Sequence, residues 1–98
     1  MIVSFRNRGT ADIFSGMDSQ AARNTCPPTA WPAALRKLAM LVQAERLGDL
    51  KQPYGNRLHA LKRDRAGQHA IRINDAYRIC FRWTDAGAED VEITDHHH

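Results

Sequence analysis

Residues 77–83 alternate between apolar and polar side chains, and this pattern constrains the segment to a β-strand with one buried face. The apolar members are Tyr77, Ile79, Phe81 and Trp83, and the members between them are Arg78, Cys80 and Arg82. A helix would distribute both sets around its axis, so only a strand separates them. The segment therefore predicts a sheet with one apolar face and one face that carries arginine.

Three other segments in the second half of the chain show shorter strand patterns, over residues 57–61, 68–73 and 90–94. Turn residues separate the four segments: Ala66-Gly67, Asn74-Asp75 and Thr84-Asp85-Ala86-Gly87. Because short links join strands that follow one another, the four strands are predicted to pair antiparallel.

The first half of the chain is predicted to supply a short strand over residues 1–5 and two helices. Thr10 is the expected N-cap of a brief helix that ends at Phe14, and residues 15–30 form a loop with one helical turn near 19–24. The second helix runs over residues 31–47, between Thr29 as N-cap and Gly48 as stop. Its predicted core-facing stripe is Trp31, Leu35, Leu38 and Val42, with Ala34 and Leu41 beside them.

The predicted architecture is α+β, with an N-terminal strand and two helices packed on a mainly antiparallel, twisted sheet of four to five strands. A length of 98 residues predicts a single domain over residues 1–98. No apolar run approaches the roughly 20 residues of a membrane span, and the first residues lack a signal-peptide pattern, so the expected location is the cytoplasm. Two cysteines are too few for a disulfide framework, and Cys80 is expected to be a small buried side chain.

Positive charge is concentrated in one part of the chain. Residues 57–83 contain seven cations and two acids, a formal net charge of +5, whereas the whole chain carries +3 and the remainder therefore −2. A concentrated basic surface favours a polyanionic partner. A solvated face held together by salt bridges accounts for the charge alone equally well.

The stretches GNRLHALKRDRAGQHAIRINDAYRICFRW, VEITDHH and SFRNRGTADIF resemble the HigB branch of the RelE/ParE toxin superfamily. The match covers most of the chain and is densest from Gly55 to Trp83, where LK-x-DR-x-G precedes IRIN-x-x-YRI-x-F. The resemblance implies a RelE-like fold and a bacterial type II toxin that enters the ribosomal A site and cuts translated mRNA. The implied partners are the ribosome, the mRNA and a HigA-like helix-turn-helix antitoxin, which represses the operon through operator DNA.

The resemblance also implies the positions that carry the chemistry. The implied catalytic residues are Lys62, Arg78, Asp95, His97 and His59, and the implied RNA-binding residues are Arg57, Arg63, Arg65, Arg72, Arg82 and His96. The expected reaction uses no metal or other cofactor, because the ribose 2′-hydroxyl itself attacks the phosphate. It needs a base for that hydroxyl, cations for the phosphorane and an acid for the departing 5′-oxygen.

Three positions depart from the family pattern. His96 stands where a tyrosine is usual, Arg63 where a glycine is common, and His59 where many relatives carry glutamate. Imidazole stacks on a base more weakly than a phenol ring, so the base preference is expected to shift. His98, and with it His97, is also consistent with a purification tag.

Two other functions stay open at this stage. A RelE/ParE scaffold also serves non-catalytic toxins that bind DNA gyrase, since a fold does not fix a function. An attenuated relative, weakened by the departures at Arg63 and His96, is the second. Metal binding by the terminal histidines would need a further ligand of suitable spacing.

Overall fold

The computed structural model describes residues 1–95. Its helices are α1 (Arg8–Phe14), α2 (Gln20–Thr25) and α3 (Trp31–Gln43), with short 3₁₀ turns at Pro28–Ala30, Leu47–Lys51, Tyr54–Asn56 and Arg63–Arg65. Its strands are β1 (His59–Ala60), β2 (His69–Arg72), β3 (Tyr77–Thr84) and β4 (Gly87–Asp95). This order confirms the predicted α+β class, and the residues predicted as a loop with one helical turn form the additional helix α2.

The four strands form one antiparallel sheet in the order β1-β2-β3-β4. The N-terminal segment extends along the outer edge of β4 in the parallel direction, with bridges from Ile2 to Ala88 and from Phe5 to Val91. The expected antiparallel meander is therefore confirmed, and the predicted first strand is a pair of isolated bridges at the sheet edge.

Helix α1 begins earlier than the sequence indicates. Asn7 is its N-cap and accepts a hydrogen bond from the backbone N–H of Thr10, at 2.9 Å. Thr10, predicted to be the cap, is instead fully buried, and its hydroxyl accepts the backbone N–H of Ile93 at 3.1 Å. The predicted cap was wrong because this threonine satisfies an edge donor of β4 and so ties α1 to the sheet.

Helix α3 buries one side of the predicted apolar stripe, the side that carries Ala34 and Leu41. Its fully buried residues are Ala34, Leu38 and Leu41, whereas Leu35 and Val42 remain 39% and 43% exposed. Leu38 lies between the two sides of the stripe. The side that contains the small Ala34 lets the helix approach the sheet more closely than the side that contains Leu35. The helix also ends at Gln43, because the Asp49 carboxylate accepts the N–H groups of Glu45 and Arg46 and starts a new turn.

The described helices cover one face of the sheet; the other face, called the open face below, carries no helix within residues 1–95, although Ala70 and Cys80 at its centre are fully buried. The largest fully buried side chains of the shared core are Phe81, Ile13, Leu38, Leu41, Leu50, Ile71, Ile79 and Val91. Trp31, Tyr77 and Trp83 pack against this core while partly exposed, in agreement with a structural role. Within residues 1–95, no helix has the length and hydrophobicity needed to cross a bilayer.

Candidate active site

The open face of the sheet carries two neighbouring rows of side chains. Residues directly opposite each other in an antiparallel pair project from the same face. The strand register therefore aligns one row of Arg72, Arg78 and Thr94 and a second row of His59, Ala70, Cys80 and Glu92. The segregation predicted for β3 is confirmed, since Arg78, Cys80 and Arg82 share the face that the helices leave uncovered.

The 3₁₀ turn Arg63–Arg65 folds toward this face. Arg65 Nη1 donates to the Oε1 atoms of Gln68, at 3.0 Å, and of Glu92 on the far strand β4, at 3.1 Å. Gly67 follows with φ of +91°, and a Cβ at this position would lie 2.8 Å from Arg82 Nη1. The turn favours glycine here because this positive φ strains any residue that has a Cβ, whereas the Arg82 guanidinium ends a flexible side chain that could move aside.

Three of the predicted RNA-binding arginines have acidic partners. Arg65 pairs with Glu92, Arg72 pairs with Asp75, and Arg82 Nε lies 3.9 Å from an Asp90 oxygen. Arg6 also reaches Glu92, at 3.6 Å. This part of the basic surface is therefore a face held by salt bridges, the alternative that the sequence left open. Glu92 pairs with two of these arginines, Arg65 and Arg6, and the sequence analysis did not identify it. Its position opposite Cys80 was concealed by a bulge in β4.

Arg78 differs from these three. It is half-buried on a central strand, its Nε donates to Thr94 Oγ1 at 3.5 Å, and no carboxylate lies within 4 Å of its guanidinium in residues 1–95. Its neighbour in the row is another cation, Arg72. A guanidinium held by a strand and not neutralised by an acid is suited to bind a phosphate with two hydrogen bonds.

Lys62, Arg63 and Arg57 lie near the edge strand β1, and all three are exposed. None of them has a carboxylate within 4 Å among the residues that the structure describes. Arg63 and Arg57 have φ values of 59° and 49°, in the left-handed region that costs most residues about 1–2 kcal/mol. The conformation of Arg63 gives a physical reason for the glycine that is common at this position in the resembling family.

His59 is exposed at the end of the second row, and its Nδ1 lies 2.7 Å from the backbone oxygen of Arg57. A carbonyl oxygen only accepts hydrogen bonds, so Nδ1 carries the ring proton. In the neutral ring, Nε2 then keeps its lone pair and is able to accept a proton.

Asp95 ends β4 opposite Tyr77, so it belongs to the phase of the strand that faces the helices and not to the row of Arg78. Burial raises the pKa of the Tyr77 phenol, and the Asp95 carboxylate raises it further. The structure therefore brings His59 and Arg78 onto one face of the sheet. Asp95 lies at the end of β4, one residue beyond Thr94, and projects toward the opposite face. His96 and His97 lie outside the described residues.

A family model described as "RelE-like toxin of type II toxin-antitoxin system HigB" matches residues 4–97. The chain belongs to this HigB-like toxin family. It is also similar to Toxin HigB-1 of Vibrio cholerae serotype O1 (strain ATCC 39315 / El Tor Inaba N16961), with 36% identity over 70 residues, which cover 71% of this chain and 74% of that toxin.

Membership of the family confirms the resemblance seen in the sequence and the role of a type II toxin. A toxin of this type has an antitoxin partner, and HigB/RelE-like toxins are generally endoribonucleases. The open sheet face, with the exposed His59 and with Arg78, which has no carboxylate partner in residues 1–95, is accordingly the candidate active site.

Proposed function

We propose that this toxin is a ribosome-dependent mRNA interferase, which cleaves translated mRNA at a phosphate bound to the open face of the sheet. The observation that carries the proposal is Arg78, a strand-held guanidinium with no acidic partner in residues 1–95, on the same face as His59. Arg65, Arg72 and Arg82 on this face each have an acidic partner, so among the strand arginines of residues 1–95 Arg78 is the cation available to a phosphate.

The proposed reaction is an internal transfer. His59 Nε2 removes the proton of the ribose 2′-hydroxyl, and the 2′-oxygen forms a bond to the adjacent phosphorus. The bond from phosphorus to the 5′-oxygen breaks, which leaves a 2′,3′-cyclic phosphate and a 5′-hydroxyl. Arg78 and Lys62 stabilise the charge of the phosphorane, and no metal or cofactor enters any step.

The remaining roles follow from the resemblance. His97 is the proposed acid that protonates the departing 5′-oxygen, Asp95 orients it, and His96 stacks on a base. Arg57 and Arg63, which are exposed and have no acidic partner in the described part of the chain, bind flanking phosphates. Arg65, Arg72 and Arg82 shape the surface through their ion pairs and contact RNA more weakly.

The ribosome supplies the alignment of the substrate in this proposal. A domain of 98 residues offers few contacts to an RNA strand, and holding the reacting groups in place is worth several kcal/mol of the barrier. The toxin therefore acts in the cytoplasm, where the ribosomes are. Its antitoxin is a HigA-like helix-turn-helix protein that also binds operator DNA.

Primer extension on mRNA from cells that express the toxin tests this proposal. We expect new 5′ ends inside translated reading frames within minutes of induction. A matched transcript without a start codon should stay intact, because it never enters the ribosome. Arrest of growth and translation without new 5′ ends would contradict the proposal and favour a toxin that acts by binding.

A further inference from the structure

A cleft of about 720 Å³ lies beside the edge strand β1. It is lined by Lys51, Gln52, Tyr54, Arg57, Leu58 and His59. Among residues 1–95, its lining contains two cations, a histidine and an aromatic ring, and no acid. The family resemblance assigns no catalytic or RNA-binding role to Lys51 or Tyr54. The cleavage chemistry therefore does not account for the whole cleft.

Tyr54 is unusually exposed for an aromatic residue, at 89%. Its ring stands on the 3₁₀ turn Tyr54–Asn56, and this turn is anchored from below by Asn56, which is fully buried. The Asn56 amide donates to the backbone oxygens of Leu50 and Gln52, both at 3.2 Å. The backbone that carries the Tyr54 ring is therefore held in place before a ligand binds, and the ring itself is free to stack on a base.

The charges around this ring are available to a ligand. Lys51 and Arg57 are exposed, and neither has a carboxylate within 4 Å in the described part of the chain. An aromatic ring flanked by cations is the arrangement by which proteins bind single-stranded nucleic acid, since the ring stacks on a base and the cations follow the phosphates.

His59 joins the cleft to the candidate active site. It lines the cleft and also ends the row that contains Cys80 and Glu92 on the open face. The backbone oxygen of Arg57, another cleft residue, holds the His59 ring at Nδ1. An RNA strand that passes His59 is therefore led directly toward Tyr54.

We propose that this cleft is a subsite for the RNA strand next to the cleaved phosphate, in which Tyr54 stacks on one base and Lys51 and Arg57 bind its phosphates. The inference rests on the proposed function and adds a residue that determines which nucleotides flank the cut. Continuity with the active site through His59 favours RNA as the occupant over an acidic peptide.

The test measures the affinity of the purified toxin for a short single-stranded RNA in which every ribose is 2′-O-methylated, by fluorescence anisotropy at low salt. This RNA cannot be cleaved, so binding is read separately from catalysis. We expect Tyr54→Ala to weaken binding by about 5- to 100-fold and Tyr54→Phe to retain it, since stacking needs the ring and not the hydroxyl. Lys51→Ala should lower the slope of the logarithm of affinity against the logarithm of salt concentration by about one, the value for one lost phosphate contact.

The substitution at position 54 should leave the fold unchanged because the side chain is almost fully exposed. Unaltered RNA binding by Tyr54→Ala, or no RNA binding by the wild-type toxin, would overturn the inference. Loss of antitoxin binding with RNA binding unaltered would assign the cleft to a protein partner instead. Ring-dependent RNA binding by a toxin that cuts no mRNA would uphold the subsite and refute the proposed function.

Discussion

Arg78→Ala is expected to lower the rate of mRNA cleavage by about 10²–10³-fold, because it removes a positioned donor from a transition state that gains negative charge. The free energy of unfolding should change by less than about 1 kcal/mol, since within residues 1–95 the guanidinium makes one long hydrogen bond, to Thr94. Single-turnover cleavage on ribosomes that carry a defined mRNA measures the first quantity, and urea denaturation measures the second.

Arg72→Ala is the matched control. Arg72 faces Arg78 across the β2–β3 pair and has the same charge, but it is already paired with Asp75. We expect its removal to slow cleavage by less than about tenfold, as for a cation that contributes only to the field of the surface. Arg78→Lys should fall between the two, because it keeps the charge and loses the planar fork. Equal losses for the two alanine variants would mean that Arg78 has no special position.

Asn56→Ala is expected to lower the free energy of unfolding by about 2–4 kcal/mol, the largest effect on stability that we predict for a polar residue. The fully buried amide accepts from Lys37 Nζ and donates to the backbone oxygens of Leu50 and Gln52. Alanine removes the partner of all three groups: the Leu50 oxygen is left buried and unsatisfied, which costs about 1–3 kcal/mol, and the partly buried Lys37 and Gln52 contacts add smaller losses. Burial, and then Arg36 and Arg72, lower the pKa of Lys37.

Asn24→Ala provides the comparison for this loss. Asn24 is exposed on α2 and its side chain accepts only from Gln20, one turn earlier. We expect a change below about 0.5 kcal/mol for this variant in the same denaturation experiment. A loss at Asn56 no larger than at Asn24 would show that the segment 50–57 holds its shape without the buried amide.

The sheet could be predicted well because alternation along a strand is a local property. The phase of Ile79 and Phe81 against Arg78 and Arg82 is set by neighbouring residues alone, and the structure keeps it. For helix α3 the sequence predicted the apolar stripe but not which side of it is buried, because its two sides have similar hydrophobicity. The choice of Ala34 over Leu35 depends on how closely the sheet approaches, which is a tertiary property.

The sequence predicted which types of residue form the candidate site, but it did not predict which of its arginines form ion pairs with acidic residues. The cationic segment and Arg78 were evident from the sequence, but the neutralisation of Arg65 needs Glu92, which is 27 residues away along the chain. The left-handed residue Asp90, with φ of 51°, accompanies the β4 bulge that shifts the phase of Glu92. Tyr54 carried no signal except an aromatic residue between Pro53 and Gly55, and its exposure follows from the buried anchor at Asn56.

The most direct measurement of the central claim uses a programmed ribosome and an mRNA with a single 2′-deoxy nucleotide at the preferred cleavage position. The proposed reaction makes the 2′-oxygen the nucleophile. We therefore predict that the all-ribose mRNA yields a 2′,3′-cyclic phosphate end and that the substituted mRNA is not cut at this position. Cleavage of the substituted mRNA at an unchanged rate, or products with a 3′-hydroxyl end, would contradict the account.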